Sequence, residues 1–527
     1  MMKRLIHNGK IYTMTAPEQT VEAVLIEEGR ISAIGRYDEL VDLADEQLDL
    51  QGATMYPGFV DSHLHMIGTG LKLTRLDLSD VQSAEDMLYL IAEQAKKTAD
   101  DEWLWVESFN ENNFPDQRIP TMAELDAITT MPLIVSRVCR HVFLGNRLAF
   151  DLAGITEATA NPQGGLIGRH SSGELNGLLY EQAADLLKAA IPQEGAAFRQ
   201  QLENVLHHTI EHMHARGLTG GHSEEMAYFG HYNYSYNAYK KVLLGRKDFR
   251  ANLLIHNEVF AAMMEDELLF DDDFMSLGAM KIFADGSFGG STAALLEPYA
   301  DDFTNKGLLI QDDIAMEELF QLAQAYSRPI AVHTIGDAAA TQVIKLMENY
   351  PPPSGTRHRI IHACLLNEDL LHRMTKIDLA VDIQPTFVTS DFPWVGNKIG
   401  EQRLPYAFPW KSLLDAGIKC GGGSDSPIEP VDPLAGIYAA ITRKKPEENH
   451  GGYVPQQKLT RYEALRLYTV GSAEMIHHEH DRGMIQPGYI ADFTIFKEDL
   501  FTIAIEKMLQ AQVKMTIVDG KIVFENN

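Results

Sequence analysis

The chain has few cysteines: three in 527 residues, Cys139, Cys364 and Cys420. They are widely spaced and form no Cys-x-x-Cys pair, so the sequence predicts no disulfide framework. Sparse cysteine of this kind fits a reducing compartment, and we expect the protein to work in the cytoplasm.

Basic residues are also in short supply, with 45 Lys and Arg against 74 Asp and Glu, a net charge of −29. Nucleic-acid phosphates require a basic protein face, so this balance argues against a nucleic-acid partner. Long apolar runs are missing too: the N-terminal segment is interrupted by Lys3, Arg4, His7 and Lys10, which excludes a signal-peptide core. No later run is long enough to span a bilayer. We therefore expect a small-molecule substrate and no membrane partner.

Both ends of the chain are rich in strand patterns. Asn8-Gly9 between two apolar runs predicts a β-hairpin, and Asp519-Gly520 predicts another near the C-terminus. Neither short end can bury a core alone. We therefore predict one discontinuous β-sandwich, with residues 1–56 as its N-terminal part and residues 481–527 as its C-terminal part.

Strand-like and helix-like segments alternate through the middle of the chain, which is typical of parallel β/α units. The eight candidate strands are residues 57–63, 218–223, 251–257, 279–285, 329–333, 358–362, 379–384 and 419–425. They predict an α/β fold, a (β/α)8 TIM barrel of residues 57–69 and 211–480, with active groups at the carboxyl ends of its strands. The last helical pattern covers 461–477. Residues 70–210 are too many for a barrel connection, and we predict a large inserted subdomain that roofs the barrel mouth.

The first candidate barrel strand ends in His-x-His. Side chains two apart on a strand face the same way, so His63 and His65 are expected to present two imidazoles together at the strand's carboxyl end. Neutral imidazole is a common ligand of zinc-like ions. The pattern therefore indicates half of a metal site, and the alternative is two unrelated histidines in a chain that has 20.

Three later candidate strands also end in possible ligands, His333, His362 and Asp425. Each alone has an ordinary interpretation, as a hydrogen-bonded core histidine or an aspartate that caps the next helix. Those interpretations do not explain why four imidazoles and a carboxylate all fall where one barrel gathers its active groups.

The fourth candidate strand contains Lys281, which is costly to bury as an ammonium ion. One interpretation is an ion pair with Asp285 or another carboxylate. The other is a neutral amine that reacts with carbon dioxide to form a carbamate, an anionic group able to bridge two metals.

These motifs together resemble the amidohydrolase superfamily, and especially its branch that includes N-substituted formamide deformylase and D-aminoacylase-like metal-dependent hydrolases. The matching segments are residues 58–65, 281–287, 332–337, 361–363, 423–427 and 488–493. The resemblance implies a metal site built from His63, His65, Lys281, His333, His362 and Asp425. The early histidines would bind one divalent ion, most simply zinc, the later ones a second, and the carboxylated lysine would bridge them. One position departs from the pattern: Ile361 stands where relatives often carry glutamate.

The resemblance also implies hydrolysis of an amide-like C–N bond, N-formyl or N-acyl, outside peptides. A metal-activated water would attack the carbonyl while Asp425 acts as general base and then as general acid. Candidate substrate contacts are His141, Asn146, His222 and Asp285; the first two have local hydrogen bonding as their alternative. Folds of this kind are commonly homodimers, and the sequence identifies no interface.

Two other functions compete with this one. His208, Glu211 and His212 lie on a predicted helix in the His-x-x-Glu-His order of inverted zinc peptidases, but a solvated polar face is the favoured explanation of so short a match. A catalytically inactive barrel could instead act as a binding or assembly scaffold, because fold alone does not prove activity. Such a barrel should have lost ligands, whereas here every expected position is filled.

Overall fold

The computed structural model describes residues 2–98, 102–137, 142–162, 164–268 and 271–526. The chain forms two compact units, one of Met1–Gly70 with Leu202–Asn527 and one of Leu71–Gln201. Along the described residues, strands are numbered β1 to β22 and helices α1 to α18. Over these same ranges, no helix combines the length and the apolarity needed to cross a membrane.

Both ends of the chain join in one sheet of the first unit. Its strands, among the described residues, are β1 (Lys3–Tyr12), β2 (Thr20–Glu27), β3 (Arg30–Gly35), β4 (Glu46–Asp49), β5 (Thr54–Pro57), β20 (Phe493–Phe496), β21 (Val513–Val518) and β22 (Lys521–Glu525). β5 pairs antiparallel with β20, so the N-terminal strands continue directly into the C-terminal ones. Ile6, Phe493 and Ile517 are fully buried in one shared core. The predicted joining of the two ends is confirmed.

The predicted hairpin at Asn8-Gly9 is wrong. β1 runs through both residues and shifts its register against β2 there, as a bulge does. Asn8 takes a left-handed φ of 58°. A Cβ on Gly9 would lie only 2.4 Å from the carbonyl oxygen of Ala53, so this position is reserved for glycine by close packing. Asp519-Gly520 does form the predicted turn, between β21 and β22.

Eight parallel strands of the first unit form a nearly closed barrel. In the described part of the chain they are, in order around the sheet, β6 (Phe59–Leu64), β13 (Leu218–Glu224), β14 (Arg250–His256), β15 (Met275–Phe283), β16 (Ile330–Thr334), β17 (His358–His362), β18 (Leu379–Ile383) and β19 (Lys419–Gly422). The last strand meets the first where the backbone N–H of Asp425 donates to the carbonyl oxygen of His63 over 2.8 Å. Every strand overlaps its predicted segment, and the (β/α)8 prediction is confirmed.

Helices flank these strands. Outside the insertion or at its borders they are α1 (Tyr37–Leu40), α2 (Met66–Thr74), α7 (Gly195–Ala215), α8 (Tyr232–Arg246), α9 (Asn257–Glu265), α10 (Asp313–Ala325), α11 (Asp337–Asn349), α12 (Glu368–Met374), α13 (Pro385–Asp391), α14 (Trp394–Ile399), α15 (Trp410–Asp415), α16 (Pro433–Thr442), α17 (Arg461–Leu467) and α18 (Val470–Met475). Strands covered on both faces are buried throughout, and β14, β17 and β18 are buried at every residue.

The single helix predicted over 461–477 is two helices. The backbone leaves the helical region at Thr469, with φ −121° and ψ −97°, which separates α17 from α18. α18 then lies directly against the barrel, where a Cβ on Gly471 would be 2.1 Å from the carbonyl oxygen of Cys420. The change of direction permits this close approach, which a hydrophobic pattern alone does not reveal.

The second unit has a sheet and a core of its own. Its described elements are β7 (Leu76–Asp77), β8 (Leu104–Phe109), β9 (Leu133–Arg137), β10 (Val142–Gly145), β11 (Gly165–Arg169), β12 (Leu175–Glu181), α3 (Ala84–Ala95), α4 (Met122–Ile128), α5 (Arg147–Leu152) and α6 (Ala183–Ala189). Met87 and Val106 belong to one buried cluster, and Ile134 and Phe150 to another. That this unit roofs the barrel mouth stays a prediction.

Candidate metal centre

Strand β6 and the segment that follows β19 bring three possible ligands together. His63 lies near the carboxyl end of β6, His65 is the first residue after that strand, and Asp425 lies just after β19. Asp425 Oδ1 lies 3.4 Å from His63 Nε2 and 3.2 Å from His65 Nε2. The ligand atoms of all three residues are within 4.8 Å of one another. Two imidazoles and a carboxylate at this spacing can bind one divalent ion.

The state of His63 shows that these residues fit a metal. The side chain is fully buried, yet neither ring nitrogen has a hydrogen-bond partner among the described residues. Leaving a buried polar atom unsatisfied costs about 1–3 kcal/mol. Burial also lowers the pKa of His63 well below its ordinary value, so the ring is neutral, which is the form that binds a metal. A divalent ion of the zinc type would satisfy the ring nitrogen that faces Asp425, Nε2.

His65 is oriented by a second contact. Its Nδ1–H donates to the carbonyl oxygen of Glu224 over 2.7 Å, which turns Nε2 toward Asp425. Burial opposes a proton on His65, but the hydrogen bond to Asp425 and the negative charges of Asp425, Glu224 and Glu225 together outweigh it and raise the pKa of His65 to about 9. Without an ion the two groups thus form an imidazolium–carboxylate pair, and a bound ion would take the place of the proton.

His333 and His362 lie beside this group. Their ring centroids are 4.6 Å apart, and the ring of His362 is 5.7 Å from that of His63. His362 Nδ1–H donates to Gln384 Oε1 over 2.7 Å, which leaves its Nε2 available as a ligand. His333 Nε2–H donates to the carbonyl oxygen of Gly286 over 2.9 Å. The four imidazoles predicted at strand ends therefore do converge.

Lys281 belongs to the same cluster. It is 1% exposed on β15, with Nζ 4.5 Å from the ring centroid of Phe283. Burial lowers the pKa of Lys281, and the negative charges of Glu224 and Asp425 oppose that effect. Its positive charge in turn helps to lower the pKa values of His63, His333 and His362.

Asp285 lies next to the cluster and holds backbone. Its carboxylate accepts N–H groups from Ala294 at 2.9 Å, Ile335 at 3.0 Å and Gly336 at 2.8 Å, and it lies 3.9 Å from His333 Nε2. The carboxylate thus joins the loop after β15 to the end of β16. Asp285 therefore positions the backbone on both sides of the cluster. Its use as a substrate contact stays a prediction.

His222 is not brought into the cluster. It lines a different cavity with Gly58, Arg250 and Asp492, which lie at or just before the first residues of β6, β14 and β20. This cavity is therefore toward the amino ends of the barrel strands, away from the ligand group. On β13 the residue that faces the cluster is Glu224, two positions further along.

The two candidates in the insertion have different outcomes. Asn146 is 1% exposed and caps α5: its Oδ1 accepts the N–H groups of Leu133 and Ala149, and its amide donates to the carbonyl oxygen of Met131. The structure therefore favours the local hydrogen bonding that the sequence left open. His141 lies outside the described residues.

The peptidase-like residues lie within five positions of α7 and make separate contacts. His208 Nδ1 contacts the carbonyl oxygen of Asn204 at 2.7 Å, and Glu211 lies 3.6 Å from Arg246. Among the described residues, His208, Glu211 and His212 form no group of ligand atoms within bonding reach of one ion. The described residues therefore give no support to the zinc-peptidase alternative.

Several residues of the centre escaped the sequence analysis. Asp61 accepts the backbone N–H groups of His63 and Ser424, both over 3.1 Å, and so ties β6 to the segment after β19. Arg359, inside the barrel, donates to Asp382 at 2.9 and 2.8 Å. A charged residue in a buried strand is a usable sequence signal, as Lys281 already showed, but the partners are not adjacent in the chain.

A nearly closed parallel barrel with histidines and an aspartate at the carboxyl ends of its strands defines a barrel enzyme with a metal site. Residues 46–524 match the Amidohydrolase family, and the chain belongs to that family. It is an amidohydrolase, a metal-dependent hydrolase that acts on carbon–nitrogen bonds.

Named relatives and solved structures agree with this assignment. The chain is 41% identical to a Bacillus subtilis protein named "Putative amidohydrolase YtcJ", over 100% of both chains. It is 27% identical to N-substituted formamide deformylase of Arthrobacter pascens, over 100% of this chain and 99% of that one. A metal-dependent hydrolase from Pyrococcus furiosus, described as uncharacterized, superposes with a TM-score of 0.81 at 27% identity, covering 95% of this chain and 100% of that one.

Proposed function

We propose that the protein hydrolyses N-formyl or N-acyl amides of small molecules, with His63, His65 and Asp425 holding a divalent ion, zinc in the first instance. The observation that carries the proposal is the convergence of these three side chains around a buried imidazole whose two nitrogens lack partners in the described part of the chain. The N-formyl part of the proposal is supported by the full-length similarity to N-substituted formamide deformylase.

The residues divide the chemistry between them. An ion bound there would supply a Lewis acid and lower the pKa of a water to about 7. Asp425 is the carboxylate placed to take a proton from the attacking water and return it to the leaving nitrogen. His65, 3.2 Å from Asp425 Oδ1, orients that carboxylate. Glu224 fixes His65 in turn through its backbone carbonyl oxygen.

We propose further that Lys281 forms a carbamate and that His333 and His362 help to hold a second ion. The burial of Lys281, which favours the neutral amine, and its position near His63, His333 and His362 support this. A carbamate requires carbon dioxide, so reconstitution of metal-free protein with zinc should give more bound zinc when bicarbonate is present. Lys281→Ala should abolish the effect of bicarbonate; equal zinc content with and without bicarbonate in the unchanged protein would contradict the carbamate.

The substrate proposal is tested with matched compounds: the N-formyl, N-acetyl and unmodified forms of one aromatic and one aliphatic amine, and a dipeptide. Zinc-loaded protein should release the amine from an N-formyl or N-acetyl compound and leave the dipeptide intact. Asp425→Asn should lower kcat by about 10²-fold or more, since it removes the proton acceptor. Asp42→Asn, an exposed aspartate in the terminal region, is the control and should keep full activity. Zinc-loaded protein that cleaves none of the amides would refute the proposal.

A further inference from the structure

A second group of metal-binding side chains lies outside the barrel centre. The loop after α18 has the sequence His477-His478-Glu479-His480-Asp481. The ligand atoms of His478, His480 and Asp481 are within 4.8 Å of one another. His478 Nδ1 lies 2.9 Å from Asp481 Oδ1, and the rings of His478 and His480 are nearly parallel, with centroids 5.6 Å apart. We call these three residues the loop cluster.

The backbone beneath the loop cluster is fixed. The N–H of His478 donates to the carbonyl oxygen of Ala473 over 2.9 Å, and the N–H of Arg482 donates to that of His478 over 3.0 Å. The carbonyl oxygen of Asp481 accepts the N–H of Ile490 over 3.0 Å. A ligand set on a held backbone loses little conformational entropy when it binds an ion.

Neighbouring groups limit the cluster to three ligands. Glu479 is paired with Arg357 at 3.0 Å, and His477 Nδ1 lies 3.3 Å from the same guanidinium. Arg482 Nε lies 3.8 Å from Asp481 Oδ1, within ion-pair distance but too far for a hydrogen bond. A bound ion would take the place of the proton between His478 Nδ1 and Asp481 Oδ1. His480 is exposed, which leaves one side of the cluster open to water.

We propose that the loop cluster binds one divalent transition-metal ion of the zinc, nickel or copper class, in addition to any ion in the barrel. Two imidazoles and one carboxylate suit these borderline ions, whereas magnesium and calcium prefer oxygen ligands alone. The exposed side leaves room for water ligands to complete the coordination. An ion there would cross-link residues of the loop that connects α18 to β20. This inference does not depend on the substrate or the reaction proposed above.

The test is a metal count on full-length protein without a polyhistidine tag. Chelator-stripped protein is dialysed against micromolar zinc and its zinc content is measured by mass spectrometry. His480→Ala changes an exposed side chain and should bind one zinc per chain fewer than the unchanged protein, with at least tenfold weaker binding at this site. His372→Ala, an exposed histidine on α12, is the matched control and should bind as the unchanged protein does.

The Asp425→Asn variant separates the two sites. The difference of one zinc between proteins with and without His480→Ala should persist in that variant, whose barrel centre is impaired. Titration with copper, nickel and cobalt should give affinities that fall in that order, and magnesium should not bind at the cluster. Equal zinc content in the unchanged and His480→Ala proteins, in either background, would overturn the proposal.

Discussion

Arg359 shows how one buried charge holds a metal-binding strand in place. It is 1% exposed, pairs with Asp382 through two hydrogen bonds, and also donates from Nη2 to the carbonyl oxygen of Ser62 over 2.7 Å. Ser62 immediately precedes His63, so the guanidinium links the inside of the barrel to the first ligand. Arg359 Nη1 is buried without a hydrogen-bond partner among the described residues, so the charge depends on these three contacts. A buried pair of this kind is sensitive to the loss of either partner.

Arg359→Met should destabilise the protein strongly. The substitution leaves Asp382 buried without its partner, a loss of about 3–5 kcal/mol in comparable cases. Calorimetry should show a thermal midpoint several degrees lower. Arg373→Met is the control, because Arg373 makes a similar 2.9 Å pair with Glu348 at the surface. Surface pairs contribute about 0–1 kcal/mol, so the control should unfold close to the unchanged protein; equal shifts in the two variants would refute the argument.

Gln384 is predicted to position His362. Gln384→Leu removes the acceptor of the Nδ1–H group, and loss of such a contact typically lowers metal affinity or activity by about 10–100-fold. Gln384→Glu keeps an acceptor and should retain most of the affinity. Zinc binding at the barrel centre, measured by competition with a chelating dye, distinguishes the two. An unchanged affinity in Gln384→Leu would show that the hydrogen bond has no positioning role.

The close approach of β19 to β6 depends on Gly423. A Cβ on this residue would lie 2.6 Å from the backbone nitrogen and 2.8 Å from the carbonyl oxygen of His63. These are backbone atoms that cannot move aside alone, so the two segments would separate and carry Asp425 away from the histidines.

Gly423→Ala should therefore lower hydrolytic activity by at least about 10²-fold, a loss typical of a catalytic group displaced by 1 Å. Gly451→Ala is the matched control, since its added Cβ would have no atom of the described residues within 4 Å. The measurement is kcat on the substrate identified in the screen, together with zinc content. A Gly423→Ala protein that keeps full activity would show that the segments can adjust.

The elements that the sequence predicted best are those with a simple physical signal. Parallel barrel strands covered on both faces are short apolar runs, and all eight were placed within a few residues. The bulge at Asn8 was missed because Asn-Gly serves a hairpin and a left-handed bulge equally well. The helix break at Thr469 was missed because it accompanies the packing of Gly471 against Cys420 of β19, and a local sequence pattern does not show such a contact.

The convergence of the candidate ligands was predictable from the sequence, whereas the residues that hydrogen-bond to them were not. His63 and His333 lie near the carboxyl ends of strands and Asp425 follows one, so a closed barrel brings them to the same end. Gln384 lies 22 residues from His362, and Arg359 lies 297 from Ser62, and nothing local in the sequence joins those partners. His222 shows the limit of the rule: it lies on a barrel strand but lines the cavity toward the opposite ends.

The whole molecule should be more stable with the barrel centre filled, because an ion that binds only the folded chain adds stability by mass action. An excess of 1,000 times Kd adds about 4 kcal/mol. In the His480→Ala background, where only the barrel centre counts, removal of zinc should lower the thermal midpoint and re-addition should restore it. Asp425→Asn should show a smaller shift; an equal shift would place the stabilising ion elsewhere.

Barrel closure by Asp425 against His63 also bears on how the protein is made. The two halves of the ligand group come from opposite ends of the barrel sequence, with Asp425 360 residues after His65. A nascent chain on the ribosome therefore lacks a complete centre until its final barrel strand has emerged. On this geometry the chain cannot hydrolyse its substrate before that strand has emerged, so the complete ligand group forms late in synthesis.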